Sequence, residues 1–381
     1  MIERNIELGL VDSDAQDLRA IILSLQGHEH SGYLALALSP TVGFIAEETY
    51  NYLTSRNILA ELPAFSGNYR KIVKKLRALL KLFDDTEGGK EGVLAMLDLF
   101  QQKSILWMNK GKRGIYRAII QTYLQPDIGI YFIGEDPFYM TTVGFSATGK
   151  TRHEIEALRE EDLVDMSVYA RAFFTAIGEY LEEMRNLMKT LGIHTTITPS
   201  IRDSSQIKVT HNDFRASRLY TTVSRELGIT NRRLAPAALF VLTQVNTAHI
   251  LLPSLLEKES NLYIRLQVLT AYHAARALLE LQGDLDPELI SLVSNADISK
   301  SVQNFRKVRN ILAHYGMGEG KTFINQGIDP LDEMIQGFSG MSKTELSELA
   351  GIYLKQISDW SRARLSKTTL KSVRALLGDH T

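Results

Sequence analysis

"ISKSVQNFRKVRNILAHYG", residues 298–316, carries an apolar residue every three or four positions and stops on glycine. That spacing is a helix's, and it decides how the second half of the chain is read. With Asn310 as reference and 100° per residue, Gln303, Arg306, Lys307 and His314 fall within about 60° of it. Phe305, Val308 and Leu312 fall on the far side, facing a helical bundle. Arg309 flanks the polar stripe, from where its long side chain can swing towards His314. Gly316 is placed to end the helix. His314 then sits in the last turn, where unpaired carbonyls favour its protonated form.

The neighbouring segments share this period. "AALFVLTQVNTAHILLPSLLE" (237–257) and "NLYIRLQVLTAYHAARALLELQG" (261–283) are apolar on most faces, as bundle interiors are. "DPLDEMIQGF" (329–338) reads as a short helix and "SKTELSELAGIYLKQISDWSRARL" (342–365) as a long one. The latter opens on Ser342 with Glu345 three residues later, a capping box. Upstream, helical spacing marks 14–26, 68–83, 90–103 and 164–192. The stretch 68–83 has a basic face of Arg70, Lys71, Lys74, Lys75 and Arg77, read here as a solvated surface. The break falls at 127–149, where "DIGIYFIG" and "FYMTTVGF" flank "EDP" as a β-hairpin. A weaker β signal lies in "HTTITPSIRDSSQIKVT" (194–210). The expected fold is mainly α: a C-terminal helical bundle, and a helical N-terminal region carrying a small β-hairpin. Its expected divisions are 1–125, 126–232 and 233–381, with the first two forming one domain in an alternative reading.

Composition narrows the chemistry. The 381 residues have a net charge of −1, so no global field draws the chain to nucleic acid, and contact needs a local basic patch. There is no cysteine, which excludes disulfides, zinc thiolates and a cysteine nucleophile. The N-terminus begins with acids rather than the basic and apolar segments of a signal peptide, and no uninterrupted apolar run spans a bilayer. A cytoplasmic location without membrane attachment is expected. "HEH" (28–30) lacks a third metal ligand at a recognisable spacing and reads as a loop. His249 and Asn246 on one apolar helix, with Tyr272, His273 and Arg276 on the next, read as hydrogen-bonded bundle residues or as lining for a cleft.

"GFSATGKT" (144–151) fits the phosphate-loop pattern, with Gly144, Gly149, Lys150 and Thr151 at the required positions. The motif works where a buried parallel strand delivers a glycine loop to a helix N-terminus. Here the following "TRHEIEALREEDL" is too charged to pack on a sheet, and no apolar strand ending in aspartate follows to hold magnesium. Thr151 and Glu154 read instead as a capping box. The later "GEGKT" (318–322) has Tyr315 where the first glycine must stand.

The stripe of 303–314 suits phosphodiester chemistry. A histidine can take the proton of a ribose 2′-hydroxyl, and an arginine's fork can hold the phosphate as its charge grows. Asn310, one turn before His314, can orient the ring or bond a phosphate oxygen. Spacing alone carries little weight, since an Arg-x4-His pair is common and a terminal histidine is often only a cap. The full string "RNILAHY" (309–315), however, resembles the R-N-x3-H-Y form of the Arg-x4–6-His signature of the HEPN superfamily, and "LTAYHAARALLELQ" resembles its helical hairpin. The resemblance spans 235–381 and leaves the N-terminal part unaccounted for. It implies a metal-independent endoribonuclease without cofactor, of the toxin–antitoxin or antiviral defence kind, acting on RNA as a homodimer whose two stripe helices share one cleft. By it Arg309 and His314 are the catalytic pair, Asn310, Tyr315 and Arg306 support them, and Lys307 and Gln303 contact substrate. An antitoxin or other regulatory protein is an implied partner. The competing readings are a non-catalytic helical binding or assembly module and a phosphate-loop nucleotide-binding protein.

Lys150 tests the last of these. As a solvent-facing residue at a helix start, its replacement by alanine should leave the melting temperature and any nucleotide-dependent thermal shift unchanged. A thermal shift with ATP that Lys150→Ala abolishes would restore the phosphate-loop reading.

Overall fold

The computed structural model describes residues 2–56, 128–141, 166–190, 201–294, 296–315 and 329–370, with single positions between 73 and 98. "GFSATGKT", "GEGKT", Gly316 and most of 68–83 and 90–103 lie outside the described residues. The mainly α fold expected from the sequence is what forms.

Helix α1 (Ile2–Gln26) buries Leu8, Val11, Ala15, Leu18, Ile22 and Leu25, alternating steps of three and four down one face. It begins well before residue 14, where the helical spacing of 14–26 had placed its start, so the acids at 12, 14 and 17 lie inside the helix. Those acids are interior pairing groups rather than dipole partners. Asp12 meets Arg185, Asp14 meets Arg265, and Asp17 accepts from the Ser260 hydroxyl at 2.8 Å. Helix α2 (Ser31–Ser55) and helix α3 (Met166–Thr190) pack with α1 as a three-helix layer. The "HEH" loop joins α1 to α2, with His28 Nε2 3.0 Å from the Ile207 carbonyl oxygen.

The hairpin forms from β1 (Ile128–Ile133) and β2 (Asp136–Met140), turning on Gly134 at φ +62°. β3 (Val209–Phe214), which overlaps the weak β signal of 194–210 only at its last two residues, pairs antiparallel with the free edge of β1, giving the order β2-β1-β3. Helix α4 (Ala216–Glu226) follows, and every later element among the described residues is helical.

Helix α5 (Ala235–Asn246) passes through a π-helical turn, Thr247–Leu251, into Leu252–Leu255. The continuous segment Arg232–Leu255 has the length and hydropathy to cross a membrane, which the absence of an uninterrupted apolar run had concealed. Its most apolar stretch is 89% buried inside the protein, so it serves here as a core helix. Asn246 Nδ2 and Thr247 Oγ1 donate to the Pro137 and Phe138 carbonyls at 2.8 and 3.0 Å, seating β2 against the π turn. The core therefore runs across residue 233 without interruption.

Helix α6 (Asn261–Glu280) is the axis of the C-terminal part, contacting α1, α5, and the later helices α8 (Ala296–His314) and α10 (Lys343–Leu365). Between them lie α7 (Pro287–Ser294), which the sequence reading missed, and α9 (Pro330–Ser339). The capping box of α10 is present, with Glu345 Oε2 accepting from Ser342 N at 2.8 Å.

On α6, Arg265 is 1% exposed, and its guanidinium meets three groups. Nη1 pairs with Asp14 of α1, Nε donates to the Leu312 carbonyl at 2.8 Å, and the carbon of the guanidinium lies 4.0 Å from the centre of the Tyr315 ring. The Tyr315 hydroxyl donates to Asp14 at 2.7 Å, and burial pushes its pKa up to about 12, so it remains a donor. Tyr315 itself has φ +52°. The residue that follows α8 in the left-handed conformation is this tyrosine, held there by contacts on its ring and hydroxyl.

Removing Arg265 leaves Asp14 buried without its counter-charge. Arg265→Met should cost about 3–5 kcal/mol in urea unfolding. Tyr315→Phe, which removes one hydrogen bond to the same carboxylate, should cost about 1–3 kcal/mol. Unfolding midpoints equal to wild type for both would show that this cluster does not hold the two halves together.

Candidate functional site

Helix α8 has the two faces its spacing implies. Phe305, Val308, Ile311 and Leu312 are buried, whereas Gln303, Arg306, Lys307, Asn310 and His314 are exposed in one stripe. Among the described residues, no hydrogen bond or ion pair engages Gln303, Arg306 or Lys307, so their polar groups are open to a partner.

At the C-terminal end of the stripe, His314 does not cap its own helix. The Leu312 carbonyl, one of those left open by the helix end, is taken by Arg265. His314 Nδ1 instead lies 2.8 Å from Oε2 of Glu48, a residue of α2. The imidazole is 48% exposed and the glutamate 2%. A carboxylate oxygen only accepts, so Nδ1 carries the proton and Nε2 is the ring's basic nitrogen. The other carboxylate oxygen of Glu48 is 2.8 Å from Arg77 Nε, close enough for charge attraction but not aligned as a hydrogen bond. Arg77 also lies 3.4 Å from Glu47.

Arg309 is placed differently from expectation. Its Nε and Nη2 donate to Asn310 Oδ1 at 3.1 and 3.0 Å, and its Nη1 donates to the Tyr272 hydroxyl at 3.2 Å. The guanidinium lies over the Tyr272 ring, 5.1 Å from its centre. All three nitrogens thus point to Asn310 and Tyr272 rather than to His314. Asn310 accordingly orients Arg309, and Glu48 orients the histidine ring. Arg276 of α6 reaches the same Tyr272 hydroxyl at 3.5 Å, which brings two guanidinium groups to one phenol oxygen.

Tyr315 is a core residue, 1% exposed, and faces Asp14 and Arg265 instead of the stripe. It can support the site only by fixing the end of α8. His273 is buried, and His249, half-buried in the π turn, has its pKa lowered by burial. Among the described residues, no group of three metal-ligating side chains clusters.

Sequence reasoning missed Glu48, Asp14, Arg265 and the role of Arg77. One signal was legible: α2 is otherwise uncharged over its 25 residues, yet carries Glu47 and Glu48 side by side. Two carboxylates in an apolar helix need partners from elsewhere. No protein-family model matches the chain, and neither a curated protein nor a solved structure matches it.

Proposed function

We propose that this protein is a metal-independent endoribonuclease of HEPN type, with His314 as the proton-transfer group and Arg309 as the phosphate-holding group. The observation that carries the reading is the His314 ring itself. It is half-exposed at the end of a polar stripe, and its Nδ1 is committed to Glu48, so Nε2 is left to act on a bound molecule. Arg309 and Arg276, gathered at Tyr272, supply the fixed positive charge that a phosphodiester requires. Arg306, Lys307 and Gln303 extend the exposed face along the path of a strand.

In the proposed step Nε2 accepts the proton of a ribose 2′-hydroxyl as that oxygen bonds to phosphorus. The bond from phosphorus to the 5′ oxygen breaks, and the departing oxygen takes a proton from water or from the imidazolium of a second copy. The products are a 2′,3′-cyclic phosphate and a free 5′-hydroxyl. Acid and base are both needed in line, which favours a homodimer in which two stripes face one another. A toxin or antiviral defence role in the cytoplasm, restrained by an antitoxin or other regulatory protein, is the setting in which such a cleavage would be useful.

One observation favours the second reading, a non-catalytic helical binding module. Arg309 is tied to Asn310 and Tyr272, so in this conformation it grips an anion more readily than it serves His314.

Purified protein should cleave single-stranded RNA in EDTA, leave matched DNA intact, and run as a dimer at micromolar concentration by light scattering. His314→Ala should lower the rate roughly 10²- to 10⁴-fold. It should cost only about 1 kcal/mol of stability, because water can replace the half-exposed ring at Glu48. Arg309→Lys should retain affinity better than rate, since the two-pronged fork is lost. Equal cleavage by wild type and His314→Ala, or a strict magnesium requirement, would leave the binding module as the better reading.

A further inference from the structure

Glu48 stands outside the segment that carries the stripe. It comes from α2, more than 260 positions away in sequence, and is buried at 2% exposure. Burying a carboxylate is costly unless its oxygens are matched, and a helix with no other charge than Glu47 and Glu48 gains nothing from the pair by itself. Arg77 lies between the two acids, 2.8 Å from Glu48 and 3.4 Å from Glu47, but its contact with Glu48 is one of charge and not an aligned hydrogen bond. Among the described residues the aligned hydrogen bond to Glu48 comes from His314.

From this geometry we propose that Glu48 is the positioning residue of the site. It locks His314 as the Nδ1–H tautomer, aims Nε2 at the substrate, and stabilises the imidazolium that forms when Nε2 takes a proton. The proposal deepens the ribonuclease reading and rests on it for its kinetic part. The proton, the new bond to phosphorus and the broken bond to the 5′ oxygen are those of the step above. Glu48 exchanges no proton and touches no substrate. Arg77, on the other carboxylate oxygen, keeps Glu48 from turning away from the ring.

The test uses the full chain and two readouts. In the first, nitrogen-15 NMR of labelled histidine side chains reports the tautomer, with His314→Ala identifying the signal. Wild type should show Nδ1 protonated and Nε2 bare in the neutral ring. Glu48→Ala should distribute the proton over both nitrogens, because an imidazole with no fixed acceptor has no single tautomer. Glu48→Gln, which keeps an accepting oxygen and the shape of the side chain, should retain the wild-type tautomer. In the second readout, Glu48→Gln should lower kcat roughly 10²-fold on single-stranded RNA, with KM within about twofold, because the carboxylate charge that steadies the imidazolium is gone.

An unchanged tautomer in Glu48→Ala overturns the positioning role. Should Glu48→Ala fail to fold, an unchanged kcat in Glu48→Gln does so. A wild-type protein that cleaves no RNA defeats the ribonuclease reading instead, and the tautomer measurement still decides whether Glu48 sets the ring.

Discussion

A single buried guanidinium organises this protein. Arg265 sits at the meeting point of α1, α6 and the end of α8, where it satisfies Asp14, the Leu312 carbonyl and the face of Tyr315 together. An arginine can do this where a lysine cannot, because its planar fork serves a carboxylate and a carbonyl in different directions while its face lies on a ring. The arrangement is demanding, since any one missing partner leaves charge in an apolar interior. It therefore fixes where α8 ends and how the chain leaves it. The position of His314, the residue just before Tyr315, follows from that fixed exit.

The site is consequently assembled from both halves of the chain. α8 supplies the exposed stripe, α6 supplies Tyr272 and Arg276, and α2 supplies Glu48. Elsewhere, Asn246 and Thr247 at the π turn hold β2 against the core helix.

What the sequence made legible was whatever depends on neighbours along the chain. Helix spacing placed Gln303, Arg306, Lys307, Asn310 and His314 on one exposed side and Phe305, Val308 and Leu312 on the buried one. Ser342 and Glu345 were readable as a cap because both groups lie within one turn. What stayed hidden depends on contacts between distant segments. The spacing of 14–26 does not show that Asp12, Asp14 and Asp17 are pairing groups, because Arg185, Arg265 and Ser260 come to them from distant segments. Nothing in the spacing shows that Tyr315 takes the left-handed conformation, since the contacts on its ring and hydroxyl come from α6 and α1. Arg309 looks free to reach His314 until Tyr272 and Asn310 engage it. No local pattern announces which of two adjacent glutamates on α2 will find a histidine.

The continuity of the core through residue 233 bears on how such a chain can be inherited. A stripe helix whose ring is steered by α2 and whose terminus is pinned by α1 is not a portable cassette. Recombination that moved residues 233–381 onto another protein would carry Arg265 and His314 away from Asp14 and Glu48, stranding a buried cation and loosening the imidazole. Changes on α1 and α2 are thus constrained jointly with those on α6 and α8. Descent should register as paired substitutions at 14 with 265 and at 48 with 314, rather than as exchange of the helical segment as a block.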